Sequence, residues 1–164
     1  MKENSDLKDL VGAIESQKAI FDDLFNKIRS YVAEDLKEVE RDWKSALVIV
    51  GLLANYYTAV ETVLFRIAQE FGNQLSTERW HADLLERLNH AVDEIRPRVI
   101  QRDAYLRLDE LRRFRHFERY YFQTDYDWDK LEFLIKKQLE VHPMVLRDLN
   151  AFVDFLRGMN CEAR

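Results

Sequence analysis

The chain has 164 residues, 47% apolar and 34% charged, a length and balance that suit one globular domain. Only four Gly and two Pro are present, too little turn material for a hairpin-rich β fold. The formal net charge of −5 supplies no global attraction for nucleic acid, so any RNA contact has to be local.

Met1 to Lys8 is polar and lacks the apolar run of a signal peptide. The first helix is marked by Leu7, Leu10, Val11, Ile14, Phe21, Leu24, Phe25, Ile28, Tyr31 and Val32, a stripe broken only at Gln17 and Lys18. Asn4 or Ser5 suits its start. A seven-residue apolar spacing also suits a partner helix, although covering the chain's own core is the plainer reading. The charged stretch from Ala33 to Asp42 predicts a break.

A second helix is expected from about Asp42 to Phe71, apolar on most sides and therefore central. Its most apolar run, Ala46 to Ala54, is shorter than the ~20 residues of a membrane span. A cytoplasmic location without membrane contact is expected. Gly72-Asn73 suits a C-terminal stop, and Ser76 or Thr77 a cap for a third helix with Trp80, Leu84, Leu85, Leu88 and Val92, ending near Ile95 before Pro97.

A fourth helix is predicted from about Asp103 to Phe122. Asp127 caps a fifth, lined by Trp128, Leu131, Leu134, Ile135 and Leu139. Pro143 either kinks it or opens a last helix that Gly158 ends. Cys161 has no partner within the chain, so an intrachain disulfide or a cysteine zinc site is excluded. The whole predicts an all-α single domain, 1–164, built as a bundle of five to six helices.

Chemistry concentrates on residues 107–122. At ~100° per residue, Leu111, Phe114, Phe117 and Tyr121 gather on one side as the core face. Arg112, Arg115, His116 and Arg119 gather on the other, with Arg113 beside them. One reading is a solvated face laced by pairs such as Asp109–Arg113. The other is a phosphate site, since guanidinium forks match phosphate oxygens. An imidazole among arginines is held toward its neutral, proton-accepting form.

Tyr57-x-x-x-Glu61, Trp80-His81-x-x-Leu84-Leu85, Arg96-Pro97, Arg113-Phe114-Arg115-His116 and Asp127-Trp128 follow one another between Trp43 and Leu156. In this order and spacing they resemble the HepT-like family of the HEPN superfamily. Residues 1–42 add an N-terminal helix and a charged connection outside the resemblance. The resemblance implies a HEPN-like helical bundle that dimerises and a toxin that cleaves RNA without a metal or cofactor. It also implies a nucleotidyltransferase antitoxin as partner.

The superfamily motif is an Arg, four residues, a His, one residue and a Tyr. Aligned on Arg115, the histidine position is Tyr120 and the tyrosine position is Phe122. A phenol of pKa ~10 is a poor acceptor for the proton of a 2′-hydroxyl. Two expectations stand side by side. In one, His116 is the base, with Arg115 and Tyr120 completing a catalytic set and Arg112, Arg113 and Arg119 binding RNA phosphates. In the other, catalysis is lost and the domain is a helical RNA- or protein-binding module. Phe122 also lacks the hydroxyl on which, by the resemblance, an antitoxin would act, with Tyr120 and Tyr121 adjacent to it. His81, His90 and His142 lack metal-ligand spacing, so no metal is expected. His81 reads as a hydrogen-bonding residue at a helix start and Trp80 as an anchor. Arg96 and Arg98 suit either a basic cleft or the capping of helix ends. Glu61, on the buried helix, requires a partner, with Arg115 or Arg112 the candidates.

Overall fold

The computed structural model describes residues 4–72, 79–121 and 125–162, and among these it is all-α with no strand. Six α-helices follow one another: α1 (Asn4–Ser30), α2 (Leu36–Glu38), α3 (Trp43–Glu70), α4 (Trp80–Leu88), α5 (Arg102–Tyr121) and α6 (Trp128–Glu162). Between α1 and α2 lies a π-helical turn, Tyr31–Asp35. The charged stretch after Val32 therefore stays helical to Glu38, and the break comes at 39–42. Lacking Gly and Pro, that stretch has nothing to stop a helix, and the misfit is absorbed as a wider turn.

Asp42 then starts α3 with a capping box. Its carboxylate accepts from the Lys44 and Ser45 amides at 3.0 Å each, and Ser45 Oγ accepts from the Asp42 amide. The Ser45 amide is the main reason the Asp42 carboxyl titrates below its ordinary range.

α3 is the central helix, touching α1, α4, α5 and α6. It is long and apolar enough to cross a membrane by length and composition, and 56% of its most apolar window is buried by the rest of the chain. The expected short run, Ala46 to Ala54, thus understates its apolar length.

α1 and α6 run antiparallel, since Glu15, Lys18 and Asp22 meet Arg157, Asn150 and His142 in reverse order. The first-helix stripe does cover the chain's own core, with Leu7, Leu10, Ile14, Phe21 and Ile28 all buried. The gap at Gln17 has a purpose: its side-chain amide donates to the Ala59 carbonyl at 3.2 Å and so ties α1 to α3. His142 is buried from α6 onto α1, where its ring stacks on Phe25 at 3.9 Å.

α5 and α6 are likewise antiparallel, through Asp103–Arg147, Arg107–Glu140 and Phe117–Lys130. Asp127 caps α6 as expected, accepting from the Asp129 amide at 2.9 Å. Neither Pro143 nor Gly158 ends it. Val141, His142, Val145 and Leu149 are buried on both sides of Pro143, so packing carries the helix through the one lost amide.

α4 stops at Leu88, about two turns short of Ile95. The reason is Arg96, 3% exposed, whose guanidinium donates to the carbonyls of Arg87 and His90 at the end of α4 and to that of Pro97. Of the two expected roles for Arg96, the cap on a helix end is the observed one. Gly72 closes α3 with φ +68°, the left-handed conformation expected there. Asn73 and the caps at Ser76 or Thr77 fall outside the described residues.

Candidate functional site

The arginine helix α5 lies against both α3 and α6. Leu111 and Phe114 are buried, as the wheel requires, and Phe117 is half-buried under the Lys130 ammonium at 5.6 Å. The opposite face is less uniform than a wheel suggests. His116 is exposed, while Arg112 and Arg115 are half-buried. Arg115 Nε donates to Thr58 Oγ1 of α3 at 2.6 Å, and Thr58 in turn donates to the Ala54 carbonyl at 2.8 Å. A long side chain on the flank of a helix can reach the neighbouring helix, which residue spacing alone does not reveal.

Arg112 and Arg113 converge on one carboxylate. Asp109 accepts from Arg112 Nε at 2.8 Å and pairs with Arg113 at 2.7 Å, the latter being the expected i,i+4 pair. Arg119 and Tyr120 belong to the last turn of α5, but their side chains, like Phe122, fall outside what the structure describes.

Glu61 is buried as expected, at 5% exposure, but its partner is not an arginine. His81 Nδ1 of α4 lies 2.6 Å from its Oε1. The reason is geometric. The 28-residue α3 ends one short connection before α4, and this brings the first turn of α4 back alongside Glu61, while Arg112 is held by its own Asp109. The His81 ring stacks on Trp80 at 3.6 Å, and Trp80 in turn meets Phe65 edge-on at 5.4 Å. Trp80 is thus the expected anchor, and His81 is fixed from two sides.

One turn before Glu61, Tyr57 is 1% exposed, and its hydroxyl has no hydrogen bond of acceptable geometry. Burial and then the Glu61 carboxylate push its phenol well above the ordinary range, with Arg112 and Arg115 pulling the other way. Two guanidiniums, a carboxylate–imidazole pair and an unsatisfied phenol therefore share one neighbourhood between α3, α4 and α5. Of the sequence-derived set, Arg112 and Arg115 belong to it, Arg113 and His116 point outward, and Tyr57, Glu61 and His81 are additions. Among the described residues no group of three or more His, Cys, Asp or Glu side chains is placed to hold a metal.

A family model described as HepT-like protein matches residues 48–156, two-thirds of the chain and all the residues of this cluster. The chain belongs to the HepT-like family. Its all-α bundle is accordingly of HEPN type, and the resemblance carried by Tyr57-x-x-x-Glu61, Trp80-His81 and Arg115-His116 falls inside the matched span. No curated protein and no solved structure matches the HepT-like chain.

Proposed function

We propose that this HepT-like protein acts on RNA, as a toxin-derived, metal-independent endoribonuclease. It would work in the cytoplasm as a homodimer, with a nucleotidyltransferase antitoxin as its partner. The observation that carries the reading is the cluster itself. On a chain of net charge −5, Arg112 and Arg115 are gathered beside the buried Glu61 carboxylate and the His81 imidazole paired with it. Guanidiniums neutralise phosphate, and an oriented imidazole moves a proton, which are the two requirements of RNA cleavage without a metal. The experiment is incubation of the purified chain with single-stranded RNA in the presence of EDTA, wild type beside Arg115→Ala. Cleavage by the wild type and loss of about a hundredfold or more in the variant support the reading. Equal background rates in both dispose of it.

A second reading has its own support. Asp109 holds both Arg112 and Arg113, Thr58 holds Arg115, and the motif's histidine and tyrosine positions are Tyr120 and Phe122. These features suit a HepT-like domain that binds RNA without cutting it. Binding that weakens steeply with salt, with no product at any protein concentration, distinguishes this case.

A further inference from the structure

The motif position that should hold a base is Tyr120, and a phenol cannot take up a proton at neutral pH. The structure offers another imidazole with the support a base needs. We propose that His81, oriented by Glu61, is the general base that removes the proton from the RNA 2′-hydroxyl, an inference that rests on the ribonuclease reading above.

Three observations lead there. A carboxylate only accepts hydrogen bonds, so the His81 nitrogen 2.6 Å from Glu61 is Nδ1–H, and in the neutral ring the lone pair is on Nε2. That is the tautomer a buried carboxylate enforces on a catalytic imidazole. The His81 side chain is 26% exposed, so a substrate reaches it, whereas Glu61 behind it is 6% exposed and works only through the ring.

The third observation is placement. Arg115 is held on Thr58 and His81 on Glu61, and these two α3 residues are three apart. Their side chains rise on one face about 4.5 Å from each other along the axis. A phosphate on the Arg115 guanidinium thus sets the adjoining ribose near the His81 ring. The buried Tyr57 hydroxyl, one turn before Glu61, feels the Glu61 carboxylate and both the Arg112 and Arg115 guanidiniums, which places these groups in one neighbourhood. His116 follows Arg115 by ~100° around α5 and is exposed.

The step balances within the RNA. His81 Nε2 takes the 2′ proton as the 2′ oxygen bonds to the adjacent phosphorus. The bond from phosphorus to the 5′ oxygen breaks. The departing oxygen receives the proton from the imidazolium through solvent, which restores the neutral ring. The products are a 2′,3′-cyclic phosphate and a 5′-hydroxyl, with Glu61 unchanged as a positioning residue.

The test uses the full chain and a fluorescent single-stranded oligoribonucleotide, with cleavage and binding measured on the same samples. His81→Gln should lower cleavage by about a hundredfold or more while RNA binding persists. Glu61→Gln preserves side-chain volume, so it keeps the fold where a truncation fails. It should lower cleavage by about tenfold while RNA binding persists. Imidazole nitrogen NMR of the unliganded chain should show His81 protonated at Nδ1. A neutral ring protonated at Nε2 overturns the orientation by Glu61. Wild-type cleavage that His81→Gln changes by less than about threefold overturns the inference and leaves the ribonuclease reading standing. Binding without cleavage overturns the base and leaves an RNA-binding module. A wild type that neither binds nor cuts overturns the functional reading, and His81 with it.

Discussion

The Glu61–His81 contact makes a quantitative prediction about stability that is independent of any substrate. His81→Ala removes a 2.6 Å hydrogen bond to a carboxylate that is 6% exposed, leaving that charge without its partner. A bond to a charged acceptor contributes about 1.5–3 kcal/mol, and here burial of Glu61 argues for about 2.5. At roughly 2–4 °C per kcal/mol for a chain of this length, the melting temperature should fall by about 5–10 °C. Glu61→Gln alone keeps an acceptor facing Nδ1 and should cost about 1 kcal/mol. The double variant should be less damaging than the two losses added, by about 1–2 kcal/mol, because the stranded charge is gone. Urea unfolding of the four proteins measures this directly. Additivity within about 0.5 kcal/mol would mean that the two groups do not interact in solution, and the orientation of His81 would then have no basis.

Two further outcomes follow from buried polar groups elsewhere. Arg96→Met takes the guanidinium away from the carbonyls of Arg87, His90 and Pro97, and urea unfolding should show a loss of about 2–3 kcal/mol. A loss under about 1 kcal/mol would show that these carbonyls find water instead. His142 lies buried between Tyr56 and Asp22, at 3.1 Å and 2.7 Å, and burial pulls its imidazole below the ordinary 6.5 despite the opposing pull of Asp22. The folded chain therefore binds fewer protons than the unfolded one below that pH. The His142 contribution is complete above pH 6.5 and is lost progressively as pH falls from there through the lower folded value. Urea midpoints measured across that range should slope for the wild type and flatten for His142→Gln, and an equal slope in both would refute the assignment.

The sequence was most informative where one helix decides the outcome. Stripes at three and four identified α1 and the buried face of α5, Gly72 and Asp127 marked an end and a start, and an apolar run on most sides identified α3 as central. It was least informative where partners come from different helices. Arg115 was visible as one of several guanidiniums on a wheel, but its bond to Thr58 spans 57 positions of sequence. Glu61 was legible as a buried carboxylate in need of a partner, yet the choice of His81 over an arginine depends on where α4 returns along α3. Pro143 and Gly158 look like punctuation, but buried neighbours on either side of the proline outweigh one missing amide. Arg96 looked equally suited to a cleft or a cap until the end of α4 was located.

The most direct test of the account asks where RNA touches the protein. Backbone amide NMR during titration with a short single-stranded oligoribonucleotide should show shifts concentrated at Thr58, Glu61, His81, Arg112 and Arg115. These shifts should shrink as salt rises. Shifts gathered instead in the apolar groove between α2 and α6, around Leu36, Trp128 and Leu139, with the α3–α4–α5 amides unmoved, would contradict it.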